Sequence, residues 1–469
     1  MRFSAAATAD RLLPQGLADR ARPLMGKVDA LLFSNDDKAE AGRVSIIAFA
    51  IRMFSAFIAF VSQVLLARWM GAFEYGIFVL VWVTMIILGN LSCLGFHTSV
   101  IRFIPEYRER GELEELRGVM LASRLIVLVA STVIAAVSAG IILLFADRIE
   151  SYYVVPFLIG IFCLPMIALS DVVQGISRAN AWAISALSPT YIVRPVLIIS
   201  FMAGALALGY EPSARTALIA AVAATYATTL WQLATVTTRA DRGIAKGPRA
   251  IDLRGWIMVS LPIFLIEGFA FMLTNADVLM VGVFLSPHDV AIYYAMAKTL
   301  ALVHFVSFAV KAGAAARYAQ FMHGGEREKL GEFARETVTW TFWPSLAMGL
   351  FVLAIGQPIL ALFGPGFEAG FPYLFLLVAG VVARSTVGPA ESLLTMSGNQ
   401  NICAAIYGLT LAFNVGLNVL LIPPLGLWGA ALATSLSMVF EAAALAITNW
   451  RRLGIVMFIF APRLVPEPS

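Results

Sequence analysis

Slid along itself by 215 positions, the sequence meets its own pattern. Arg52, inside the apolar stretch Val44–Met70, falls on Glu267, inside the apolar stretch Trp256–Leu285. The same offset places Gly71–Phe78 (GAFEYGIF) on Ser286–Tyr293 (SPHDVAIY) and Arg102-Phe103 on Arg317-Tyr318, without a gap from Arg52 to Phe103. A second match places Asp171 on Glu391 and Ser177–Asn180 (SRAN) on Ser397–Gln400 (SGNQ). Each copy opens on an apolar run long enough to cross a bilayer, with a charge inside it at the matched position. Such a duplication restricts the chain to a membrane protein of two related halves, the plan on which many transporters are built, with the substrate path at the interface of the repeats.

Composition agrees. Hydrophobic residues make up 60% of the chain and charged residues 13%, where a soluble domain carries roughly 25% charge. The net charge of +4 does not indicate a nucleic-acid partner, because the basic residues sit in short loops between apolar spans, where membrane topology accounts for them. The cysteines, Cys93, Cys163 and Cys403, lie in or beside apolar segments without metal-ligand spacing and read as small buried hydrophobes. Residues 1–43 lack a signal-peptide core and read as either a surface amphipathic helix or disorder.

Twelve apolar spans follow, from 44–68 to 425–449. With a cytoplasmic N-terminus, 24 of the 33 Lys and Arg fall in inside segments, and only Arg68, Arg148 and Arg215 fall outside. This asymmetry orients the chain with both termini in the cytoplasm. The reading is of an all-α integral membrane protein of twelve transmembrane helices in two six-helix lobes, arranged as parallel repeats. A segment 1–43 precedes the first lobe (44–238), a linker (239–255) joins it to the second (256–450), and a tail (451–469) closes the chain. The segments after the second and eighth spans, residues 102–118 and 317–333, read as short amphipathic helices at the membrane surface.

A charge at the bilayer centre costs about 2.5–3.5 kcal/mol on insertion scales, so it faces protein or water and serves a function. Depth arithmetic at 1.5 Å per residue puts Arg52, Arg194, Glu267, Asp277, Lys298 and Arg384 well inside, His304 near mid-depth, and Lys311 closer to one face. Arg124, Asp171, Glu391 and Glu441 fall nearer the cytoplasmic edge and read as helix-end anchors. Helical spacing groups Arg52 with Ser55 and Gln63, Thr190 and Tyr191 with Arg194, His304 with Ser307 and Lys311, and Arg384 with Gly388, Glu391 and Thr395. Cations outnumber anions in the deep set, which suits an anionic cargo: Arg for bidentate phosphate contacts and Lys as a point charge. Arg52, Arg194, Lys298, Lys311 and Arg384 are therefore the candidate substrate contacts. Glu267, Asp277 and His304 are candidates for coupling or ion pairing, and a pair between Asp277 and Lys298 would cancel part of the excess. Pro165, Pro189, Pro195, Pro262, Pro344 and Gly388-Pro389 interrupt spans as kinks or bending points. No phosphate loop, zinc motif or nucleophile cluster is present in the sequence, so no cofactor is expected and the chain is not read as an enzyme.

Four stretches carry a family resemblance: Leu65–Val81 (LLARWMGAFEYGIFVLV), Leu94–Met120 (LGFHTSVIRFIPEYRERGELEELRGVM), Asp277–Lys298 (DVLMVGVFLSPHDVAIYYAMAK) and Pro423–Ser437 (PPLGLWGAALATSLS). Over residues 44–450 the chain resembles the polysaccharide-transport, Wzx-type branch of the multidrug/oligosaccharidyl-lipid/polysaccharide exporter superfamily. The resemblance implies a V of two lobes and alternating access around a cationic cavity. The implied function is flipping of an undecaprenyl-pyrophosphate-linked oligosaccharide from the cytoplasmic to the periplasmic leaflet of a bacterial inner membrane, for exopolysaccharide, capsule or O-antigen synthesis. The lipid-linked oligosaccharide, membrane lipid, a polysaccharide polymerase and chain-length proteins are the implied partners. A peptidoglycan-precursor flippase of the same superfamily usually has fourteen spans, against the twelve counted. A cation-coupled multidrug exporter would be expected to show an acidic interior. A glycan polymerase or ligase would need a sizeable outside loop, and a pure scaffold leaves the deep charges without a use.

Overall fold

The computed structural model describes residues 37–242 and 247–461, with side chains described at 51, 53–240, 242 and 247–461. Most of the segment 1–43 and the end of the tail therefore lie outside the described residues. Among the described residues every regular element is a helix. In the first half these are α1 (Asp37–Ser92), α2 (Phe96–Arg110), α3 (Leu113–Leu144), α4 (Ser151–Ile161), α5 (Leu164–Ala179), α6 (Ala183–Ser188), α7 (Arg194–Ala207) and α8 (Ala214–Asp241). The second half holds α9 (Leu253–Phe284), α10 (Pro287–His323), α11 (Arg327–Ala361), α12 (Phe371–Ser385), α13 (Ala390–Met396), α14 (Gln400–Leu425) and α15 (Leu427–Leu453).

Ten described helical stretches are long and apolar enough to cross a membrane, and the bent pair α4–α5, angled by 43°, makes an eleventh. One stretch, Met53–Arg110, is 58 residues long, or about 87 Å at 1.5 Å per residue, far more than one bilayer core. It turns back at Gly71, whose φ of 75° and ψ of 167° are not helical. The positive φ suits a residue without a Cβ. Beyond the turn, Tyr75 donates to Gln63 Oε1 at 2.9 Å; twelve residues along a straight helix would separate the two by about 18 Å. Counting this stretch as two passes brings the total to twelve. The repeat survives in the structure. Where the first copy turns at Gly71, the second ends α9 at Leu285 and caps α10 with Ser286 and Asp289, each side chain accepting from the other's backbone N–H.

One local expectation is corrected. The segments 102–118 and 317–333 are not separate surface helices. They are the ends of neighbouring spans, α2 with α3 and α10 with α11, prolonged past the apolar runs and joined by tight turns at Gly111 and Gly324-Gly325. The interruption expected at Gly388-Pro389 is present: α12 stops at Ser385 and α13 starts at Ala390, with Gly388 at φ 55° between them. Pro389 cannot donate a helical hydrogen bond there. The π-turn Pro189–Val193 between α6 and α7 answers to Pro189 and Pro195 in the same way.

Packing defines two ends of the bundle. At the Gly71 end one apolar core runs through both halves, joining Leu66–Ile87 of α1 to Val278 and Val281 of α9, Val290–Val303 of α10 and Leu374–Val381 of α12. Toward the Arg110 end it divides in two. One core belongs to α2, α3, α5 and α8, the other to α10, α11, α13, α14 and α15. One shared core and two separate ones give the molecule its V. The helix α9 crosses the divide: its first turn puts Trp256 into the α2–α3–α5 core, and its last turns pack in the shared core. Gly95 allows that approach, since a Cβ there would collide with the Ser260 carbonyl. The three cysteines are buried and free, as their surroundings in the sequence indicate.

Candidate functional site

At the Gly71 end the halves are sealed. Arg68 of α1 donates through Nε to the Leu362 carbonyl, one of the orphan acceptors at the end of α11. Phe60 meets Phe363 edge-on at 5.5 Å, and Tyr75 lies 6.2 Å from Phe367 and 6.4 Å from Tyr294. A Cβ on Gly76 would collide with the Pro287 carbonyl, so α1 and α10 touch backbone to backbone. Lys298 sits one turn past Tyr294 on α10, half-buried, with its ammonium 4.6 Å from the centre of the Tyr294 ring. Because Tyr294 faces Tyr75 of the other half, Lys298 lies on the face of α10 turned toward the apex of the V.

The remaining candidates divide by partner. Arg384 is gripped by two carboxylates: Nε donates to Glu441 at 2.7 Å, Nη2 to Glu391 at 2.8 Å, and Nη1 to the Gly388 carbonyl at 3.2 Å. Lys311 holds the other oxygen of Glu391 at 2.9 Å and is itself 47% exposed, so its ammonium still reaches open space. Glu391 and Glu441, expected at a helix edge, are thus partners of two candidate cations. Arg194 is buried on α7. It donates to Ser170 at 3.1 Å, feels the Asp171 carboxylate, and leaves its Nε without a partner. Arg384 is matched by two carboxylates and Arg194 has one within electrostatic reach, which reduces the cationic excess counted from sequence. Arg52 lies on α1, but its side chain is outside the described residues.

Glu267 of α9 meets the first half. Thr98 donates to its two oxygens at 2.8 and 3.0 Å, and His97 Nε2 lies 3.0 Å away. Asp277 is 8% exposed and is served by amides: Asn414 at 2.9 Å and Asn418 at 3.2 Å, both from α14. No ion pair joins Asp277 to Lys298 among the described residues. His304 is an exposed ring near Arg384. Tyr191 leaves its expected stripe: it is 41% exposed, whereas Thr190 turns inward to Ser170.

Sequence reasoning passed over His97, Thr98, Asn414 and Asn418. The asparagines carried a usable signal, an i, i+4 amide pair in an otherwise apolar helix. His97 and Thr98 carried none, because what makes them a site is a helix from the other half of the chain.

A membrane-spanning bundle of two repeated halves, sealed at one end and parted at the other, defines a multi-pass transporter. The profile of the family described as polysaccharide biosynthesis protein matches residues 42–315, more than half of the chain, and that described as MatE matches 262–420. The chain belongs to the polysaccharide biosynthesis protein family. It is 23% identical over 407 residues to a probable low-salt glycan biosynthesis flippase of Haloferax volcanii, covering 85% of this chain and 81% of that protein. Among solved structures, the inward closed conformation of the lipid II flippase MurJ superposes with a TM-score of 0.68 at 15% identity, over 86% of this chain and 87% of that one. The inward-facing conformation of a multidrug resistance MATE family transporter superposes with a TM-score of 0.66 at 15% identity, over 87% and 98%. At these identities the structural likeness establishes the fold alone, the two-lobed V of this transporter superfamily.

Proposed function

We propose that this protein flips an undecaprenyl-pyrophosphate-linked oligosaccharide from the cytoplasmic to the periplasmic leaflet of a bacterial inner membrane, for surface polysaccharide synthesis. The observation that carries the reading is the position of Lys298. Its ammonium stacks on Tyr294, whose ring also meets Tyr75 of the other half where the two lobes are sealed, in a chain of the polysaccharide biosynthesis family. A point charge there would meet the pyrophosphate of a headgroup entering from the open end. Lys311, only half engaged by Glu391, would offer a second contact nearer the mouth.

By the distribution of Lys and Arg, the Arg110 end and both termini lie in the cytoplasm. The lobes, 44–238 and 256–450, would rock about the shared core, closing the cytoplasmic mouth as the Gly71 seal opens. Opening there would part the aromatic edges and the Arg68 contacts on helix-end carbonyls, each worth about 0.5–3 kcal/mol, together with the face of the shared core where α1 meets α10. Asp277 is assigned to coupling. A buried carboxylate answered by neutral groups, the amides of Asn414 and Asn418 and the hydroxyls of Thr434 and Tyr293, is costly unless it takes up a proton or a monovalent cation. Arg384, Arg194 and Glu267 shape the lobes around the path. A polymerase and chain-length proteins would receive the product on the far side.

The test is a deletion strain. Its extracted lipids should hold an accumulated undecaprenyl-pyrophosphate oligosaccharide while surface glycan falls, and the wild-type gene, but not Lys298→Gln, should restore export. Normal glycan together with sensitivity to cationic dyes would overturn the reading.

A further inference from the structure

After α15 the chain does not leave the bundle. Gly454 ends the helix at φ 69°, and Gly454–Ala461 runs back across the second half. Met457 is fully buried in the α10–α11–α13–α14–α15 core, Ile455 and Ile459 pack against that core, and Phe460 meets Phe342 of α11 at 5.8 Å. The backbone N–H of Ile459 donates to the Thr386 carbonyl at 2.9 Å. Thr386 follows the last residue of α12, in the break before α13. A carbonyl released where a helix stops needs an outside donor, and the tail provides one. Asn449, on the last turns of α15, is fully buried and donates to the carbonyl of Ala390, the first residue of α13. One segment thus satisfies a backbone acceptor on each side of the same break.

The break sets the geometry of the Arg384 cluster. Arg384 lies two residues before Thr386, donates to the Gly388 carbonyl inside the break, and reaches Glu391 just beyond it. Val387 between them is 2% exposed and shares the core with Met457. Gly388 is pressed so closely on α11 that a Cβ would lie 2.8 Å from Val338 Cα. The α11 side of the break is fixed by that contact, and the other side by the tail. We infer that the segment Asn449–Phe460 is a strap that holds the α12–α13 break, with Ile459 a positioning residue that keeps Arg384 directed at Glu391 and Glu441.

The geometric claim stands apart from the proposed function, and only its consequence for export rests on that reading. The experiment compares Ile459→Pro, which deletes the N–H, with Ile459→Ala, which keeps it. Both are made in a protein whose only thiol is Cys403, with Cys93 and Cys163 replaced by Ala. Cys403 is 2% exposed in the core that holds Met457 and lies near Glu391, so a thiol reagent reads whether that core has opened. Ile459→Pro should label about tenfold faster than Ile459→Ala, the cost of losing one buried hydrogen bond. In cells, Ile459→Pro should lower glycan export, and should lower it no further in an Arg384→Gln background, since groups acting through one another are not additive. Equal labelling of the proline and alanine variants would overturn the strap, and independent, multiplying export losses would overturn its action through Arg384. A labelling difference with lipid-linked glycan unaffected by either variant would keep the strap and contradict the flippase reading. If Ile459→Pro does not accumulate in the membrane, Met457→Ala takes its place: faster labelling than wild type supports the strap, and labelling at the wild-type rate overturns it.

Discussion

His97 and Glu267, 170 residues apart in sequence, face each other at 3.0 Å, the imidazole on a helix of the first half and the carboxylate on the helix that opens the second. The pair fastens the start of α9 to the wrong half of the chain by sequence, and to the right one by packing. Trp256 Nε1 donates to Tyr107 OH at 2.9 Å, and Ser99 and Ser260 share a hydrogen bond at 2.7 Å along the same seam. Only beyond Glu267 does α9 turn to second-half partners, with Asp277 on Asn414 and Asn418.

The seam predicts the behaviour of His97→Ala. Glu267 would keep Thr98 but lose its other partner in a half-buried site, at a cost of about 1–3 kcal/mol. Denaturation of the purified protein in detergent should register that loss, and Glu267→Gln should lose less, because a neutral amide needs less compensation. Equal stability of wild type and His97→Ala would mean that the contact contributes nothing.

Arg384, assigned to shaping its lobe, and Lys298, assigned to the substrate, should separate by assay. Arg384→Gln leaves Glu391 and Glu441 short of their shared partner, which costs about 3–5 kcal/mol in a buried site. Lys298→Gln removes one cation–π contact worth about 0.5–2 kcal/mol. Arg384→Gln is expected to lower folded yield and melting temperature markedly. Lys298→Gln should insert and melt nearly as wild type and fail in export. The reverse ranking would exchange their roles.

Asp277→Asn keeps the shape and removes the charge. Burying a neutral amide costs less than burying a carboxylate, so the variant should be as stable as wild type or more so. Transport driven by an ion gradient should nonetheless fall by about tenfold or more, equivalent to 1.4 kcal/mol of lost coupling. Gradient-driven transport at wild-type rate would remove Asp277 from coupling.

The seal at the Gly71 end gives a conformational prediction. Gly76→Val forces α10 off α1 at the Pro287 carbonyl, and Arg68→Ala releases the α11 carbonyls. Either change should shift the population toward the state open at that end. Cysteines introduced at Phe60 and Phe363, whose rings touch at 5.5 Å in the sealed form, report it: their crosslinking yield should drop in both variants. An unchanged yield would show that the seal does not set the equilibrium.

Much of the architecture was legible in the order of the residues, for a physical reason. A bilayer demands runs of apolar residues whatever their partners, and a duplicated chain repeats its punctuation, so Gly71 and Ser286 mark the same corner in both copies. Gly388-Pro389 announced a break in the tenth span and Pro189 a distortion in the fifth, because both act on their own backbone. The partners were not legible. Depth arithmetic placed Glu441 near an edge, and only the packing of α15 on α12 brings it to Arg384. The prolonged helices on either side of Gly111 and Gly324 read as surface pieces because their polar ends leave the apolar pattern before the helix stops. The docking of α9 on α2, and of the tail on the α12–α13 break, joins segments whose local periodicity carries no record of each other.

The central claim is that the V moves a pyrophosphate-linked oligosaccharide across a bilayer, and reconstitution tests it most directly. Purified protein in liposomes loaded with undecaprenyl-pyrophosphate oligosaccharide should expose headgroup sugars of the inner leaflet to an impermeant outside reagent. That exposure should be faster than in protein-free liposomes and should be lost with Lys298→Gln. Exposure no faster than in protein-free liposomes, with a coupling gradient of either sign imposed, would contradict the account.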